Sequence, residues 1–502
     1  MTVRRRTQLA GADGGMRSSI AKIGSRLPGS LGLLGGLALL ATGCSTVESA
    51  TDAMFGTSKP PVGTPGHVTG FLGAVVADEP RAAVVAREVL SSGGSAGDAA
   101  VALGFALSVT LPSRAGLGGG GACLAYAPGR NAINGGAAEA FLFTSIPTSP
   151  GVGRTDRPAA LPMLARGLFA VHSRYGKRPF ETTIAPAEQL ARFGVQASRS
   201  LVRDLSVVGG ALLADPNARA VFAPNGRPLE EGTNLLQPDL GATLAQIRSA
   251  GVGDMHQGTL ARRLEEVSVL AGSPMTLADL RTALPRTTMP IILRQGNDNV
   301  AFLPPPADGG LAAAAAFAAL QANASDVAGA DARAQGVAAA WRASGGGGDP
   351  MAMLSAPVSG AGLGALPAST TFATLDKDGN AVVCALSMGN LFGTGRMAPT
   401  LGFLLAASPT AIAPPLLSAA LAWNQNVHGF RAAVGGSGQS AAPLATAVAM
   451  MNTLRSQQPM SAAVPEPGRA NVIACGRYLP GTERTCAWAT DPRGFGLAAG
   501  NN

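Results

Sequence analysis

The sequence predicts a mixed α/β protein in which helices pack on β-sheets in layers. Hydrophobic residues make up 46% of the 502 residues, which is enough to bury a large core and excludes wholesale disorder. Helical patterns dominate the chain before a glycine-rich segment at 343–368, and strand patterns with a tight turn follow it. Elements of both kinds bury their apolar faces by packing as the layers of a sandwich.

The first elements have clear start signals. GAVVA from Gly73 is strand-like, and Pro80 suits the first turn of the helix that follows. Ser95, with Asp98 three residues later, makes a capping box for a second helix, AGDAAVALGFALSVT. That helix is apolar on nearly every side, so we expect it inside a large core.

Further helices and strands follow along the chain. Helical periodicity recurs in the ranges 159–175, 187–193, 239–250, 258–271 and 277–284, the last with Thr276 as its cap. IILRQ and VAFLP are strand-like and precede an alanine-rich helix. The Gly-, Pro- and Ser-rich segment 343–368 is typical of a flexible or exposed linker. After it, TTFATL and AVVCALSM flank the turn DKDGN, which predicts a hairpin.

The net charge of +8 is concentrated near the start of the chain. Residues 1–43 hold six basic residues and one acidic residue, so they carry +5 and the remainder only +3. A short apolar run at 31–41 precedes ATGC, as in a bacterial lipoprotein leader, with Cys44 as the lipidated residue. We therefore expect a leader over 1–43, a tether over 44–66 and a lipid anchor on the periplasmic side of a bacterial membrane. An ordinary buried cysteine behind a signal anchor is the alternative, and nucleic acid is not an expected partner.

The cysteines, histidines and glycines indicate no cofactor and no metal. Cys475 and Cys486 flank a turn, and an exported protein permits a disulfide there, but the sequence leaves their pairing open. The four histidines are scattered and no CxxC occurs. The glycines at 116, 118 and 121 match a dinucleotide fingerprint, yet that motif must follow a strand and open a helix, and here the order is reversed.

Six segments in order carry a resemblance to a known family. The first runs from VVADEPRAAVVAREVL to GLGGGGACLAY, a helical pair followed by a tetraglycine loop. The others are ALPMLARGLFAVHSRYGKRPFETTIAPAEQLARFGV, HQGTLARRL with VAFLPPPADGG, TTFATLDKDGNAVVCALSMGNLFGTG, VGGSGQS and ATDPRGFGLAAG. In this order they resemble the γ-glutamyltransferase family of N-terminal-nucleophile hydrolases.

That resemblance implies a four-layer αββα sandwich and a precursor that cuts itself in a linker. The large-subunit-like segment would be 67–368, with 343–368 as the linker, and the small-subunit-like segment 369–502, both forming one αββα unit. The residue exposed by the cut, normally a threonine, is the nucleophile of the family, and its own α-amine is the general base. No cofactor is implied.

The position of the nucleophile depends on one residue of register. Aligning the family's Thr-Thr-His-aromatic pattern without gaps from Asp376 places the nucleophile at Ser369 and the cut between Ala368 and Ser369. A shift that made Thr370 the nucleophile would turn every side chain of the strand to the opposite face. Ser369 is therefore preferred, and Thr370 is the alternative. The resemblance also places Gly438 and Gln439 at the backbone N–H groups that stabilise the oxyanion.

The substrate-binding positions differ from those of the family. Where the family has an arginine for the substrate α-carboxylate, this chain reads AINGGAAEAF, with only Glu139, so Arg114 beside the glycine loop is the substitute we expect. The positions for the α-amino group fall on Ser387, with Asn390 nearby, and on AASPTAIAP, which has no carboxylate. Ser418 aligns near a serine that contacts substrate in the family.

The sequence therefore predicts a γ-glutamyltransferase-like amide acyl transferase or hydrolase, with a γ-glutamyl amide as the first expected substrate. Two alternatives remain. A buried site for a zwitterion needs charged partners, and those are missing, which favours an acylase for another amide. The other alternative is a catalytically inactive envelope lipoprotein of the same fold.

Overall fold

A computed structural model of the chain describes residues 70–129, 132–149, 155–358, 363–364 and 366–501, all within one compact unit, Pro60–Asn502. The predicted leader, Cys44 and the tether lie outside the described residues. Among the described residues, no helix is long and apolar enough to cross a bilayer.

The chain alternates strands with helices before residue 356 and is mostly strand after residue 369. The strands are β1 (Gly73–Ala77), β2 (Gly120–Tyr126), β3 (Glu139–Phe143), β4 (Ile146–Pro147), β5 (Ala160–Leu161), β6 (Val195–Gln196), β7 (Asn234–Leu235), β8 (Arg286–Thr288), β9 (Ile291–Gln295), β10 (Asp298–Phe302), β11 (Thr370–Asp376), β12 (Ala381–Ser387), β13 (Ser418–Asn424), β14 (Gly429–Ser437), β15 (Arg469–Leu479), β16 (Cys486–Thr490) and β17 (Leu497–Asn501). The helices are α1 (Pro80–Ser91), α2 (Ala96–Thr110), α3 (Leu164–Tyr175), α4 (Phe180–Phe193), α5 (Arg199–Leu212), α6 (Pro216–Phe222), α7 (Pro238–Ala250), α8 (Asp254–Gln257), α9 (Thr259–Leu270), α10 (Leu277–Thr282), α11 (Asp308–Ala322), α12 (Val327–Ala343), α13 (Pro350–Ser355) and α14 (Ala442–Ser456).

Two antiparallel sheets form the centre of the fold. The seven-stranded sheet has the order β17-β1-β11-β12-β2-β3-β8, and the six-stranded sheet has the order β16-β15-β14-β13-β10-β9. In both sheets, strands from before residue 368 pair with strands from after it. Neither part of the chain can therefore complete either sheet without the other.

Side-chain alternation along the strands builds four layers. On β12, Val382 and Cys384 pack against the helices that cover the seven-stranded sheet, whereas Val383 faces the other sheet. On β14, Val434 packs against the opposite helical layer and Ala433 faces the inner side. Both sheets are thus buried on both faces, which confirms the expected αββα sandwich.

Most predicted elements are present, and three boundaries differ. The capping boxes at Ser95 and Thr276 are both formed. Helix α3 begins only at Leu164, because residues 160–161 pair as β5. Helix α4 begins earlier than predicted and runs through Pro186, whose missing N–H interrupts the helical signal. The segment predicted to be a linker contains the short helix α13, and residues 359–362 and 365 lie outside the described part of it.

Two disulfides join opposed strands. Cys475 and Cys486, whose pairing the sequence left open, are bonded across β15 and β16. Cys123 and Cys384, which the sequence did not single out, are bonded across β2 and β12. The second bond connects segments on opposite sides of the peptide bond between Ala368 and Ser369, so it would hold the two fragments together after a cut there.

Candidate functional site

The predicted nucleophile lies at the start of β11, a central strand of the seven-stranded sheet. β11 pairs with β1 on one side and β12 on the other, and both pairs are antiparallel. The end of β1 therefore meets the start of β11, which places Asp78, the residue after β1, beside Thr370 and Thr371. Ser369, directly before the strand, is 2% exposed.

The Asp78 carboxylate fixes the first residues of β11. One oxygen accepts the Thr370 hydroxyl at 3.0 Å and the Thr371 amide N–H at 2.9 Å. The other accepts the Asn471 side-chain amide at 2.8 Å, and Asn471 also donates to the Thr371 carbonyl at 3.0 Å. Asn471 belongs to β15, so this network joins the two sheets at the start of β11. Hydrogen bonds to a carboxylate are stronger than neutral ones, so the network holds this strand end rigidly.

The two candidate nucleophiles differ in what their hydroxyls do. The Thr370 hydroxyl is occupied by the bond to Asp78, and its side chain is fully buried. Ser369 lines a cleft, and its hydroxyl makes no hydrogen bond with the described residues. A hydroxyl that faces a cleft without a fixed partner is able to approach a carbonyl carbon. This difference favours Ser369 over Thr370.

The carbonyl group of Ala368, directly before Ser369, is held by Ser387. The Ser387 hydroxyl donates to that carbonyl oxygen at 2.9 Å and accepts the Gly389 amide at 3.0 Å. Ser387 is the last residue of β12 and is 3% exposed, so this donor is buried and oriented. A donor on a carbonyl oxygen draws electrons from the carbon and favours attack there.

The glycine-rich end of β14 lies directly against the start of β11. A Cβ added to Gly435 would lie 2.6 Å from the Cβ of Thr371, so only glycine allows this approach of the two sheets. Gly438 has φ of +115°, and a Cβ there would lie 2.8 Å from the Gly468 Cα. Gln439 is also left-handed, with φ of +58°. Such backbone is strained for a residue with a side chain and is concentrated at functional sites.

Gly438 and Gln439 line the same cleft as Ser369 and Ala368. Neither of their amide N–H groups donates to another backbone group in the described part of the chain. Both N–H groups therefore remain available to donate to an anion in the cleft. The structure therefore brings the candidate nucleophile, the scissile carbonyl and the candidate oxyanion donors into one cleft of about 360 Å³.

Arg114 reaches this cleft but is already paired. Its guanidinium makes two hydrogen bonds to the Asp204 carboxylate, at 2.7 and 2.6 Å, and Asp204 also accepts the Ser113 hydroxyl. Burial lowers the pKa of Arg114, but the hydrogen bond to Asp204 and the negative charges of Asp204 and Asp78 together outweigh burial, so the net shift of the pKa is upward. The Arg114–Asp204 pair is electrically neutral, so Arg114 is poorly suited to replace the family's arginine.

Ser418 and Asn390, two further predicted substrate contacts, do not line the cleft. Ser418 is fully buried and its hydroxyl lies 2.7 Å from that of Thr446, within the second sheet and its helical layer. Asn390 is exposed and lines a neighbouring cavity. Glu139, the acidic residue of the segment where the family has its arginine, is bound by Arg174 and Tyr175. The side chains of Ser418 and Glu139 are therefore held by contacts within the protein, and Asn390 lines a different cavity.

A second cavity adjoins the scissile carbonyl on the Ser387 side. It has a volume of about 220 Å³ and contains no charged side chain in its lining. Thr144, Ser145 and three glycines (Gly120, Gly121 and Gly389) belong to its lining, as does Ser387, whose hydroxyl donates to the Ala368 carbonyl. The rest of the lining is mainly apolar: Pro306, Ala407, Pro409, Ile412, Pro414, Pro415 and Leu417. This cavity suits an uncharged group rather than a zwitterion.

Comparison with known proteins identifies the family. The gamma-glutamyltranspeptidase family profile matches residues 82–343, just over half of the chain. The chain belongs to the γ-glutamyltranspeptidase family. It is 32% identical over 252 residues to the glutathione hydrolase proenzyme of Bacillus subtilis strain 168, covering 48% of this chain and 43% of that protein. It is 30% identical over 259 residues to the acylase ACY 1 proenzyme of Pseudomonas sp. strain SE83, covering 48% of this chain and 46% of the relative.

The fold is also that of a solved acylase. The cephalosporin acylase from Bacillus halodurans superposes with a TM-score of 0.67 at 18% identity, covering 88% of this chain and 98% of the other. That likeness shows the N-terminal-nucleophile hydrolase fold expected from the sequence. The sequence alignments of this γ-glutamyltranspeptidase-family chain span less than half of each curated relative described above.

Sequence reasoning missed three residues that shape the site. Asp78 is visible as the polar residue that ends an apolar strand, a common position for a functional side chain. Asn471 is a lone amide within the apolar run ANVIA of β15, and buried polar residues in such runs need partners. Arg203 lies in the cleft on α5, with no motif around it that would single it out.

Proposed function

We propose that this chain is a self-activating amide hydrolase or acyl transferase that uses Ser369 as an N-terminal nucleophile. The observation that carries the proposal is the meeting of Ser369, the Ser387-bound carbonyl of Ala368 and the Gly438 loop at one cleft. The proenzyme relatives support a precursor that is processed.

Self-cleavage proceeds as an N-to-O acyl shift followed by hydrolysis of the ester. The Ser369 Oγ attacks the Ala368 carbonyl carbon, whose oxygen is bound by Ser387. The C–N bond breaks, the nitrogen takes the hydroxyl proton and becomes the α-amine of Ser369, and an ester joins the two fragments. Water then hydrolyses the ester, leaving a carboxylate on Ala368 and a hydroxyl on Ser369.

The same serine then carries the amide chemistry. Its α-amine removes the hydroxyl proton, and Oγ attacks the carbonyl carbon of the substrate. The Gly438 and Gln439 N–H groups stabilise the negative oxygen of the tetrahedral intermediate. The proton passes to the leaving amine, and water or an acceptor amine releases the acyl group from Ser369. Thr370 is the alternative nucleophile, disfavoured by its bond to Asp78.

The uncharged cavity beside Ser387 favours substrates with an uncharged acyl group over substrates with a γ-glutamyl group. A γ-glutamyl group carries an ammonium and a carboxylate, and desolvating them without partners costs several kcal/mol. The cavity lining supplies no charged partner for either. We therefore rank an acylase for a non-γ-glutamyl amide above a glutathione hydrolase.

Turnover of matched anilides tests this proposal. Purified wild-type protein should hydrolyse hexanoyl-4-nitroanilide with a kcat/KM at least about 10-fold above that for γ-glutamyl-4-nitroanilide. Ser369→Ala should abolish both reactions, and rapid quenching of the wild type should trap the hexanoyl group on the fragment that begins with Ser369. A preference for the γ-glutamyl substrate would reverse the ranking, and no turnover of either would argue for an inactive relative.

Export and lipid attachment form a separate part of the proposal. We propose that Cys44 is lipidated after removal of the leader and holds the protein on the periplasmic side of a bacterial membrane. The basic segment, the short apolar run and ATGC support this. Two disulfides also suit an oxidising compartment. The full chain can be expressed in a bacterium and separated between a detergent phase and an aqueous phase. Wild-type protein should enter the detergent phase and Cys44→Ser protein the aqueous phase. Equal partitioning of the two proteins would contradict the lipid anchor.

A further inference from the structure

The charged side chains that line the Ser369 cleft form ion pairs, with two exceptions, Asp78 and Arg203. Apart from Asp78, which is bound by Thr370, Thr371 and Asn471, the acidic groups of the cleft neutralise arginines. The ion pairs are Arg114 with Asp204, Arg469 with Glu466, and Arg493 with both Glu466 and Asp491. Each of these arginines is therefore held by a carboxylate of the protein itself.

Arg203 is the cleft arginine without a carboxylate partner in the described part of the chain. It lies on α5 and is exposed. The recorded contact of its guanidinium is with the Phe495 ring, whose centroid is 5.9 Å away. A cation against an aromatic face is oriented while its N–H edge stays available to a ligand. The cleft therefore presents one arginine that no carboxylate of the described residues holds, on a positioned side chain.

We propose that Arg203 binds an anionic group, of which a carboxylate is the simplest, on the leaving or acceptor portion of the substrate. The inference rests on the proposed amide chemistry at Ser369 and extends it to a class of substrate. We place the acyl portion in the uncharged cavity beside Ser387, where an anion on that portion would have no charged partner. The portion beyond the scissile bond remains in the cleft that Arg203 lines.

This assignment replaces the role that the sequence suggested for Arg114. Arg114 is neutralised by Asp204, whereas Arg203 can form a charge-assisted hydrogen bond with substrate at no loss of an existing ion pair. The planar guanidinium suits a carboxylate because it can donate two parallel hydrogen bonds. The predicted substrate class is therefore an amide with an uncharged acyl group and an acidic amine component.

A pair of chromogenic amides that differ by one carboxylate tests the assignment. Hexanoyl-4-nitroanilide and its 3-carboxy derivative share the acyl group, and their kcat/KM ratio isolates the effect of the anion. Wild type should prefer the carboxylated amide by about 5- to 10-fold at low salt. That preference should decrease as ionic strength rises, because the arginine is open to solvent.

Arg199 provides the matched control variant. It lies one helical turn before Arg203, with its guanidinium 5.4 Å from the same Phe495 ring, but it is paired with Glu231 at 2.8 Å and does not line the cleft. Arg203→Gln should bring the ratio to about 1, Arg203→Lys should restore part of it, and Arg199→Gln should keep the wild-type ratio. A wild-type ratio near 1, or a preference that persists in Arg203→Gln, would overturn the assignment.

A binding measurement separates failure of this inference from failure of the proposed function. Equilibrium dialysis of 5-amino-2-nitrobenzoate and of 4-nitroaniline against Ser369→Ala protein requires no turnover. The Ser369→Ala protein should bind the carboxylated probe more tightly than 4-nitroaniline. A second substitution, Arg203→Gln, should remove this difference, and Arg199→Gln should not. That result would support the anion subsite even if the chain proved inactive. Equal binding of the two probes would overturn the subsite even if both amides were hydrolysed.

Discussion

Replacing Asp78 by asparagine should loosen the strand end that positions Ser369. The carboxylate accepts three hydrogen bonds, from Thr370, Thr371 and Asn471. Asparagine has one acceptor oxygen and one NH₂ group. In either orientation, its NH₂ group must therefore face a hydrogen-bond donor of the protein. If the oxygen faces β11, the contact with Asn471 is lost; if it faces Asn471, both contacts with β11 are lost.

The magnitude follows from the less costly orientation. A hydrogen bond to a charged group contributes about 1.5–3 kcal/mol, and the two that survive weaken because the acceptor becomes neutral. The site is partly exposed, so we take about 1.5–2 kcal/mol for the lost bond; with the weakening of the other two, the free energy of unfolding should fall by about 2–3 kcal/mol. With an m value of roughly 3 kcal/mol/M, the urea midpoint should fall by about 1 M.

Urea unfolding in the Ser369→Ala background measures this loss on an uncut chain. Asp156→Asn is the matched control, since Asp156 pairs with Arg396 but is 67% exposed. A pair so exposed contributes less than about 1 kcal/mol, so its loss should hardly move the midpoint. An Asp78→Asn midpoint equal to that of Asp156→Asn would refute the view that this carboxylate fixes the start of β11.

Three further predictions concern the glycine loop, a buried histidine and the disulfide across the cut. Gly438→Ala should lower kcat by about 100-fold or more, because the added Cβ displaces the donor loop. Gln439→Ala should keep kcat within about twofold of wild type, because only the backbone of Gln439 donates. Equal losses of kcat in steady-state assays of the two variants would contradict this. Burial lowers the pKa of His256 to about 3, so this histidine should make the free energy of unfolding about 2 kcal/mol smaller at pH 5 than at pH 7.5. Urea titrations at the two pH values should show that contribution as the difference between wild type and His256→Asn, and equal pH dependence of the two proteins would contradict it. The bond between Cys123 and Cys384 is fully buried, so the cut protein should run as one band on a non-reducing denaturing gel and as two after reduction; two bands without reductant would show that the bond is not formed.

The fold was largely predictable because its signals are local. Pro80, the capping box at Ser95 and the DKDGN turn each specify their own element, and the structure has all three. The cluster of Ser369, Ala368, Gly438 and Gln439 was predictable only through the family resemblance. No spacing in the sequence indicates that β14 lies against β11; that approach depends on the missing Cβ of Gly435 opposite Thr371, which is far away in the chain.

The substrate positions were harder to predict because they depend on charge pairing across the fold. Arg114 is an arginine beside a glycine loop in the sequence, and only the folded chain shows that Asp204, 90 residues away, neutralises it. Ser418 aligned with a substrate contact but is enclosed with Thr446. Arg203 became a candidate only after the partners of its neighbours were known.

Self-cleavage of the purified chain shows most directly whether Ser369 is the nucleophile. The chain without its leader, incubated alone, is followed by reducing denaturing gel and intact mass, with Ser369→Ala and Thr370→Ala alongside. Wild type and Thr370→Ala should yield a fragment that begins at Ser369, at a rate independent of protein concentration. Ser369→Ala should remain one chain. A wild-type chain that stays whole, or a cut that survives Ser369→Ala and is lost in Thr370→Ala, would contradict this role of Ser369.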